Sequence, residues 1–347
     1  MSHLDILLPF GLPQEDLAAD LLRELKMPAL STLIGRAKAG PPQVFDAFSR
    51  VLPHELWLSR QFGLDGTPEH SPPLAAARMR ALGQTPETGI WFILNPAHLH
   101  IARDHLVLTD LRRLALQADE ARTLFDAAAP LFEQAGKTLL YGDAANWFMR
   151  ADDWGGLRTS TPDSACGHNI DIWMPQGSGE RDWRKLQNEV QMLWHDHPVN
   201  QARASNGQNP VNSLWLWGGA LANAVPGASR YTELVNPFGW SRDLGGSATR
   251  IEARNTGELM TAAPQAGLLV LEQLVEAALA GDWGSWLEQF RRLEADWFAP
   301  LLQALQDGKL DQLSLIIGNG ARLHTFETSK HALRKFWRAP SLSRLAP

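Results

Sequence analysis

The sequence predicts an α/β fold in which helices flank a largely parallel β-sheet. Two observations support this prediction. Short apolar runs bounded by turn residues, which are typical of buried strands, recur along the chain. Between them lie longer stretches whose apolar residues recur at helical spacing. Strands that alternate with helices favour a layered α/β architecture.

Six apolar runs have the length and composition of buried strands. Turn-forming residues bound each run, and glycine- and proline-rich breaks separate them. The longest break covers residues 225–246 and divides the N-terminal two-thirds of the chain from the C-terminal third. The predicted strands are residues 4–10, 90–94, 105–110, 138–141, 212–217 and 313–317.

Three stretches have apolar residues on one helical face. They cover residues 121–132, 183–194 and 286–305. We expect a break in the third helix at Pro300, because proline has no backbone N–H and its ring collides with the preceding turn. Many of the fourteen tryptophans lie in these helices or in the strands, which favours packing in the core.

Charge and cysteine content exclude several classes of protein. Thirty-two Lys and Arg residues against 38 Asp and Glu give a net charge of −6. This balance argues against the basic face of a nucleic-acid-binding protein and against a polybasic membrane tether. The single cysteine, Cys166, excludes an internal disulfide and a Cys-rich zinc site.

Membrane spans, secretion signals and common catalytic motifs are also missing from the sequence. No window approaches the ~20 apolar residues of a membrane helix, and residues 1–13 lack the basic region of a signal peptide. We therefore expect a cytoplasmic protein. The GxxxxGK[ST], GxGxxG, HExxH and GxSxG patterns are absent, which removes the commonest nucleotide-binding, metalloprotease and serine-hydrolase interpretations.

The densest polar cluster precedes the predicted strand at 212–217. It contains two histidines two residues apart, the second being His197, which could form a metal pair, but no acidic third ligand is placed. Capping of the C-terminus of the preceding helix, where a cationic histidine suits the helix dipole, is favoured instead. Arg203, with Asn200 and Asn212, offers the planar donors that bind a phosphate or carboxylate. The alternative is that these side chains brace the loop backbone, and the sequence leaves both interpretations open.

Two further arginines and one asparagine are candidate ligand-binding residues. Arg150 and Arg158 flank Asp152-Asp153-Trp154, so either a ligand role or pairing with an aspartate is open. Asn319 follows the predicted strand 313–317, at the strand end where α/β proteins place functional groups. A turn is needed at that position in any case.

Three segments resemble the RpfE-type regulatory protein family of bacteria. They are WFILNPAHLHIARDHLVLTD (91–110), the run 186–219 with HPVN and PVNSLWLWGG, and IIGNGARLHTFETSKHALRKFWR (316–338). That family is similar to the archaeal-type cofactor-independent phosphoglycerate mutases. Those enzymes carry a His-Pro-x-Asn, Arg, Gly, Pro-Ala-Asn segment before a strand that ends in glycine, and Val211 replaces the alanine here.

The resemblance implies an alkaline-phosphatase-like fold. Such a fold has a central sheet flanked by helices, with a smaller inserted α+β segment. We therefore expect residues 1–90 and 176–347 to form the alkaline-phosphatase-like core and residues 91–175 to form the inserted subdomain. Fainter similarity to superfamily motifs occurs at residues 27–33 and 62–65.

The departures from the mutase pattern concern its active site. The resemblance implies two divalent metals, often manganese or zinc, held by Asp and His, and a serine that accepts the phosphoryl group. Such metals neutralise phosphate charge and activate the nucleophile. The matching positions hold other residues: Pro9-Phe10-Gly11, His54-Glu55, Gly318-Asn319-Gly320 and, within 271–282, only Gly281-Asp282.

These departures predict a catalytically inactive phosphoglycerate-mutase-like protein with a regulatory or ligand-binding role. We expect no metal and no other cofactor, and a small anionic ligand or a protein as partner, rather than nucleic acid or membrane. The alternatives are an active metal-dependent mutase or phosphatase and a purely structural scaffold. The predicted ligand-binding residues are His197, Asn200, Arg203, Asn212, Arg150, Arg158 and Asn319.

Overall fold

Fourteen β-strands and thirteen α-helices form within residues 3–335 and 337–346, which the computed structural model describes. The strands are β1 (His3–Leu8), β2 (Lys38–Ala39), β3 (Gln43–Val44), β4 (Ile90–Ala97), β5 (Leu99–Ala102), β6 (His105–Leu108), β7 (Thr138–Tyr141), β8 (Trp147–Arg150), β9 (Ser213–Leu221), β10 (Glu233–Val235), β11 (Thr249–Ile251), β12 (Ala266–Val270), β13 (Gln312–Gly318) and β14 (Arg322–Ser329). The helices are α1 (Ala18–Glu24), α2 (Pro28–Arg36), α3 (Pro53–Gln61), α4 (Ala75–Ala81), α5 (Ala118–Gln134), α6 (Pro162–Ala165), α7 (Glu180–His195), α8 (Pro198–Ser205), α9 (Thr256–Ala262), α10 (Val275–Leu279), α11 (Trp283–Leu293), α12 (Ala299–Asp307) and α13 (Lys330–Leu333).

The chain divides into two units. The first unit comprises the described residues up to Ala47, Pro53–Phe62 and those from Ala228 onwards. The second unit comprises Phe48–Leu52 and Gly63–Gly227. The segment expected to form an inserted subdomain, residues 91–175, lies within the second unit.

The first unit is built on one sheet with the strand order β11-β10-β12-β1-β13-β14-β2, and β3 also pairs with β14. The strands from β11 to β13 run parallel. β1 is central, and Leu4, Ile6, Leu7 and Leu8 have no exposed surface. Burial of neighbouring residues on both faces is the pattern of a parallel strand covered by helices on each side.

The edge of this sheet is antiparallel, so the prediction of a largely parallel sheet needs correction. The connection between β13 and β14 is only three residues long, residues 319–321. A parallel crossover needs a dozen residues or more, so a connection this short forces a hairpin. β14 accordingly pairs antiparallel with β13, β2 and β3.

The third predicted helix forms, but it does not break at Pro300. α11 continues through a π-helical segment at Glu294–Phe298 into α12, where Pro300 lies in the first turn. The wider π turn accommodates a proline whose ring would clash with the carbonyl four residues earlier. The carboxylate of Glu294 accepts hydrogen bonds from the backbone N–H groups of Ala29 (2.6 Å) and Leu30 (3.2 Å) and so caps α2.

The second unit contains an antiparallel sheet in the order β7-β8-β4-β9 and a separate β5–β6 hairpin. α5 packs on α7 and β7, and α7 packs on β9. Of the α7 face predicted from the sequence, Trp183, Leu186, Val190 and Trp194 are buried, whereas Leu193 is 41% exposed. The Trp147 ring lies edge-on to Trp194, with 5.8 Å between ring centroids.

All six predicted strands and all three predicted helices coincide with observed elements. Three of the strand predictions, at 90–94, 138–141 and 212–217, fall in the antiparallel sheet of the second unit. No helix in the described residues combines the length and the apolar character that crossing a bilayer requires.

Candidate functional site

The carboxyl ends of parallel strands form the edge at which open α/β sheets bind ligands. In the first unit, β12, β1 and β13 are neighbours at the centre of the sheet. Pro9 follows β1, Leu271 follows β12 and Asn319 follows β13. The position directly beyond each of these three strands therefore carries neither a carboxylate nor an imidazole.

The corner after β1 is closed by an aromatic side chain. Phe10 has a positive φ of 55°, which is uncommon for a bulky residue, and only 9% of its surface is exposed. Its carbonyl oxygen accepts a hydrogen bond from the indole N–H of Trp286 at 2.9 Å, and its ring lies edge-on to His54, 5.8 Å away. A Cβ at Gly11 would lie 2.6 Å from Leu8. The family resemblance implies an aspartate in this corner, where this chain has packed apolar groups.

The helix α3 brings two buried titratable residues and a serine to the first unit. His54 and Glu55 are almost fully buried, and Glu55 accepts a hydrogen bond from the indole N–H of Trp240 at 3.3 Å. Ser59 has no exposed surface, and its hydroxyl donates to the carbonyl of Leu56 at 2.9 Å. This hydroxyl satisfies its own helix backbone and does not face solvent as a nucleophile would.

Asn319 serves the tight hairpin after β13. Its amide nitrogen donates to the carbonyl of Pro13 at 3.1 Å. Its amide oxygen accepts from the backbone N–H groups of Ala321 (2.9 Å) and Arg322 (2.8 Å). Both ends of the side chain are therefore engaged with the backbone, in the manner of an Asx turn.

The side chains present do not fit the two-metal centre that the family resemblance implies. Within residues 3–335 and 337–346, no three His, Cys, Asp or Glu side chains come close enough together to hold a metal ion. Two divalent metals need several such ligands converging on each ion.

A polar crevice of about 440 Å³ lies at the carboxyl ends of β10, β11 and β12. Asn236, at the end of β10, has φ of 52° and exchanges two hydrogen bonds with the backbone of Ala253 beyond β11. Arg254 pairs with Glu258 at 3.3 Å, and Arg242 donates to the Pro237 carbonyl. This crevice was not predicted from the sequence, because its residues follow three different strands that are separated along the chain.

In the second unit, Arg203 and Asn200 are buried supports of the loop before β9. Arg203 has no exposed surface, and its guanidinium pairs with Glu120 at 2.7 Å and donates to the carbonyls of Asn209 and Leu114. Asn200 exchanges two 2.8 Å hydrogen bonds with the backbone of Val211. These contacts favour the bracing role that the sequence left open over a ligand-binding role.

His197 and Asn212 make similar local contacts. His197 Nδ1 accepts a hydrogen bond from the N–H of Val199 at 3.3 Å and so caps the N-terminus of α8, not the C-terminus of the preceding helix as the sequence favoured. Asn212 bonds both the N–H and the carbonyl of Leu99 at 2.8 Å, which fixes the start of β5 to the start of β9. Their ligand-binding role stays a prediction that the observed contacts do not require.

The two arginines around Asp152 differ. Arg150 pairs with Asp152 at 2.7 Å and lies 3.6 Å from Glu87. The hydrogen bonds of this pair raise the pKa of Arg150 and lower the pKa of Asp152. Arg158 is exposed, and its side chain makes no hydrogen bond or ion pair with any residue that the structure describes. Of the seven predicted residues, it alone keeps its donors available, and it lines a cavity of about 510 Å³.

Comparison with known proteins relates the chain to one group of enzymes. No family model matches the chain. It is 25% identical over 210 residues to the 2,3-bisphosphoglycerate-independent phosphoglycerate mutase of Methanosarcina mazei, covering 58% of this chain and 50% of that enzyme. A Methanosarcina acetivorans enzyme of the same name is 25% identical over 236 residues, or 65% of this chain and 56% of the relative. The chain thus spans about half the length of the curated relatives it matches.

A solved structure supports the fold. The PH0037 protein from Pyrococcus horikoshii aligns with 94% of this chain and 87% of its own, with a TM-score of 0.52 and 14% sequence identity. The predicted α/β fold, with a central sheet flanked by helices, is confirmed, and its sheet is mixed. The chain is distantly similar to the cofactor-independent phosphoglycerate mutases. Similarity to RpfE-type proteins is not among these findings.

Proposed function

We propose that this chain is a phosphoglycerate-mutase-like protein that does not catalyse metal-dependent phosphoryl transfer and that binds a small anionic ligand in a regulatory role. The observation that carries the proposal is the corner after β1. Phe10 fills it with an aromatic ring packed on His54, where the mutase pattern has a metal-binding aspartate.

Electrostatics explain why this corner argues against phosphoryl transfer. A transferring phosphoryl group carries negative charge that metals or cationic side chains must neutralise in the transition state. An apolar ring supplies no such charge. The nearby Ser59 hydroxyl is buried and donates to Leu56, so a nucleophile would first have to break a helix contact.

The ligand-binding part of the proposal is supported by Arg158, which lines a cavity in the second unit and whose guanidinium forms no hydrogen bond or ion pair with the described residues. A guanidinium without a protein carboxylate is suited to an external phosphate or carboxylate. The regulatory part is supported by the three segments that resemble RpfE-type regulatory proteins. A protein partner in place of a small ligand is the other outcome that these segments suggest.

Activity assays with a matched enzyme test the proposal. The purified chain is incubated with 3-phosphoglycerate in Mn²⁺, Zn²⁺ or chelator, and 2-phosphoglycerate is measured by coupling to enolase. The Methanosarcina mazei mutase serves as the positive control under identical conditions. We expect the control to turn over and this chain to show only the rate of buffer, with less than stoichiometric metal by elemental analysis. Metal-dependent turnover by this chain would identify it as an active mutase and refute the proposal.

A further inference from the structure

A cavity in the second unit is bounded on one side by apolar side chains. It has a volume of about 510 Å³, which is within the range of small-molecule sites. Ile90 and Phe92 of β4 form its apolar wall, together with Leu157. A Cβ at Gly155 would lie 2.8 Å from Ile90, and one at Gly219 would lie 2.5 Å from Phe92. Glycine at both positions lets the backbone pack closely against these apolar side chains, so the shape of the wall depends on the two glycines.

Arg158 supplies positive charge at this cavity. Two other arginines of the second unit have carboxylate partners, since Arg203 pairs with Glu120 and Arg112 pairs with Asp163. Arg158 forms no ion pair within 4 Å among residues 3–335 and 337–346, although its charge acts on the exposed carboxylate of Glu69. Its backbone is nevertheless fixed, because its N–H and carbonyl both bond Gln176, at 2.9 and 3.0 Å. The backbone that carries this cation is therefore fixed, and its guanidinium remains available to an anion.

A second guanidinium behind the wall adds to the positive field. Arg50 is 6% exposed and donates only to neutral oxygens, namely Ser160 Oγ at 3.0 Å and the carbonyls of residues 172–174. Burial, and then the charge of Arg158, lower the pKa of Arg50. Two guanidinium groups that repel each other would both be stabilised by an anion placed near Arg158.

Hydrogen bonds hold the part of the lining next to Arg158 in place. Thr159 Oγ1 lies 2.7 Å from Ser71 Oγ, and the Ser71 N–H donates to the Thr159 carbonyl at 2.7 Å. His70, also in the lining, donates from Nδ1 to the Ser71 carbonyl at 3.0 Å. The lining also contains one carboxylate, Asp65, whose negative charge repels an anion. Preorganised donors lower the ordering cost of binding.

We propose that this cavity binds a small organic anion, in which a phosphate or carboxylate group contacts Arg158 and a flat apolar body packs on Ile90 and Phe92. This inference rests on the ligand-binding part of the proposed function and gives that function a site and a ligand class. The apolar wall distinguishes the ligand from a bare three-carbon phosphate, which has no apolar body to bury.

Calorimetric titration with two probes tests the site. Phenyl phosphate carries both chemical features, whereas inorganic phosphate carries only the charge. We expect phenyl phosphate to bind wild type at least severalfold more tightly than inorganic phosphate, because ring burial adds apolar contact. Arg158→Ala should weaken phenyl phosphate by about 10- to 100-fold, the scale of a charge-assisted hydrogen bond. Asp65→Asn should tighten it severalfold.

Two variants control for folding and for net charge. Arg184→Ala, on the exposed face of α7 and outside the lining, removes the same charge and should leave the affinity unchanged. Arg158→Lys keeps the charge and should retain part of the affinity. Equal phenyl phosphate affinities for wild type and Arg158→Ala would overturn the site while leaving ligand binding itself in place. Absence of any binding would also overturn the site, and the separate turnover assay would still decide whether the chain is catalytic.

Discussion

Replacing Asp5 with asparagine should destabilise the first unit at neutral pH. Asp5 lies in the middle of β1 with no exposed surface. Its carboxylate accepts hydrogen bonds from His3 Nε2 at 2.6 Å, from the Tyr231 hydroxyl at 2.6 Å and from the Arg230 guanidinium. Asparagine keeps the shape but loses the charge, and its amide nitrogen would face groups that are themselves donors.

The magnitude follows from the three contacts. A hydrogen bond to a charged group contributes about 1.5–3 kcal/mol when it is buried. The Arg230 side chain is 61% exposed, so its share is close to the ~0–1 kcal/mol of a surface pair. We expect Asp5→Asn to lower the free energy of unfolding by about 2–4 kcal/mol. At a typical urea m-value of about 2 kcal/mol/M, the midpoint falls by roughly 1–2 M.

The effect has a defined pH dependence. Burial by itself raises the pKa of Asp5, but the hydrogen bonds from His3 and Tyr231 and the charge of Arg230 outweigh it, so the pKa lies below its usual 3.8. A carboxyl group with a lowered folded-state pKa stabilises the fold above its unfolded-state pKa, and this stability is lost as the pH falls through the folded-state value. The difference between wild type and variant should thus persist from pH 7 to about pH 4 and shrink in stronger acid.

Urea unfolding followed by tryptophan fluorescence at pH 7, 5 and 3 measures this difference. Asp20→Asn is the matched control, because Asp20 forms an exposed pair with Arg23 and its loss should change stability by less than about 0.5 kcal/mol. Equal midpoints for wild type and Asp5→Asn at pH 7 would refute the reasoning. A midpoint difference that stays undiminished at pH 3 would contradict the assigned ionisation.

Two further predictions concern the second unit. Arg203→Ala should lower the free energy of unfolding by about 3–5 kcal/mol, because the substitution leaves Glu120 and two backbone carbonyls without their buried partner. Urea unfolding measures this loss. A variant as stable as wild type would restore a ligand-binding role for Arg203. Burial raises the pKa of the Cys166 thiol to about 12, so a disulfide reagent at pH 8 should react with it only after unfolding; rapid labelling of the native protein would show that the thiol is accessible.

The sequence predicted the positions of the strands and helices better than it predicted which strands pair with one another. Apolar runs such as residues 138–141 and 313–317 identify strands because the signal is local. The sheet that each strand joins depends on contacts far along the chain, so the same pattern gave a strand with one parallel and one antiparallel neighbour in β13 and a purely antiparallel strand in β7. From sequence, only the length of a connection distinguishes parallel from antiparallel pairing, as the three-residue connection after β13 does.

The candidate site was predicted less well, for a related reason. A polar cluster ahead of a strand looks the same whether its side chains bind a ligand or brace a loop. The partner that decides the role of Arg203 is Glu120, 83 residues earlier in the chain. One signal was overlooked: Asp5 stands alone in a run predicted to be buried, and a buried carboxylate requires partners. Its partner Tyr231 is one of only two tyrosines.

The position of β1 between β12 and β13 has a consequence for synthesis on the ribosome. Both neighbours belong to the last quarter of the sequence, at Ala266–Val270 and Gln312–Gly318. At about 5–20 residues per second, β1 emerges tens of seconds before either partner exists. During that interval an apolar strand has two open edges and is prone to aggregate. Asp5 interrupts its apolar run with a charge, so the residue that anchors the finished sheet also protects the nascent chain.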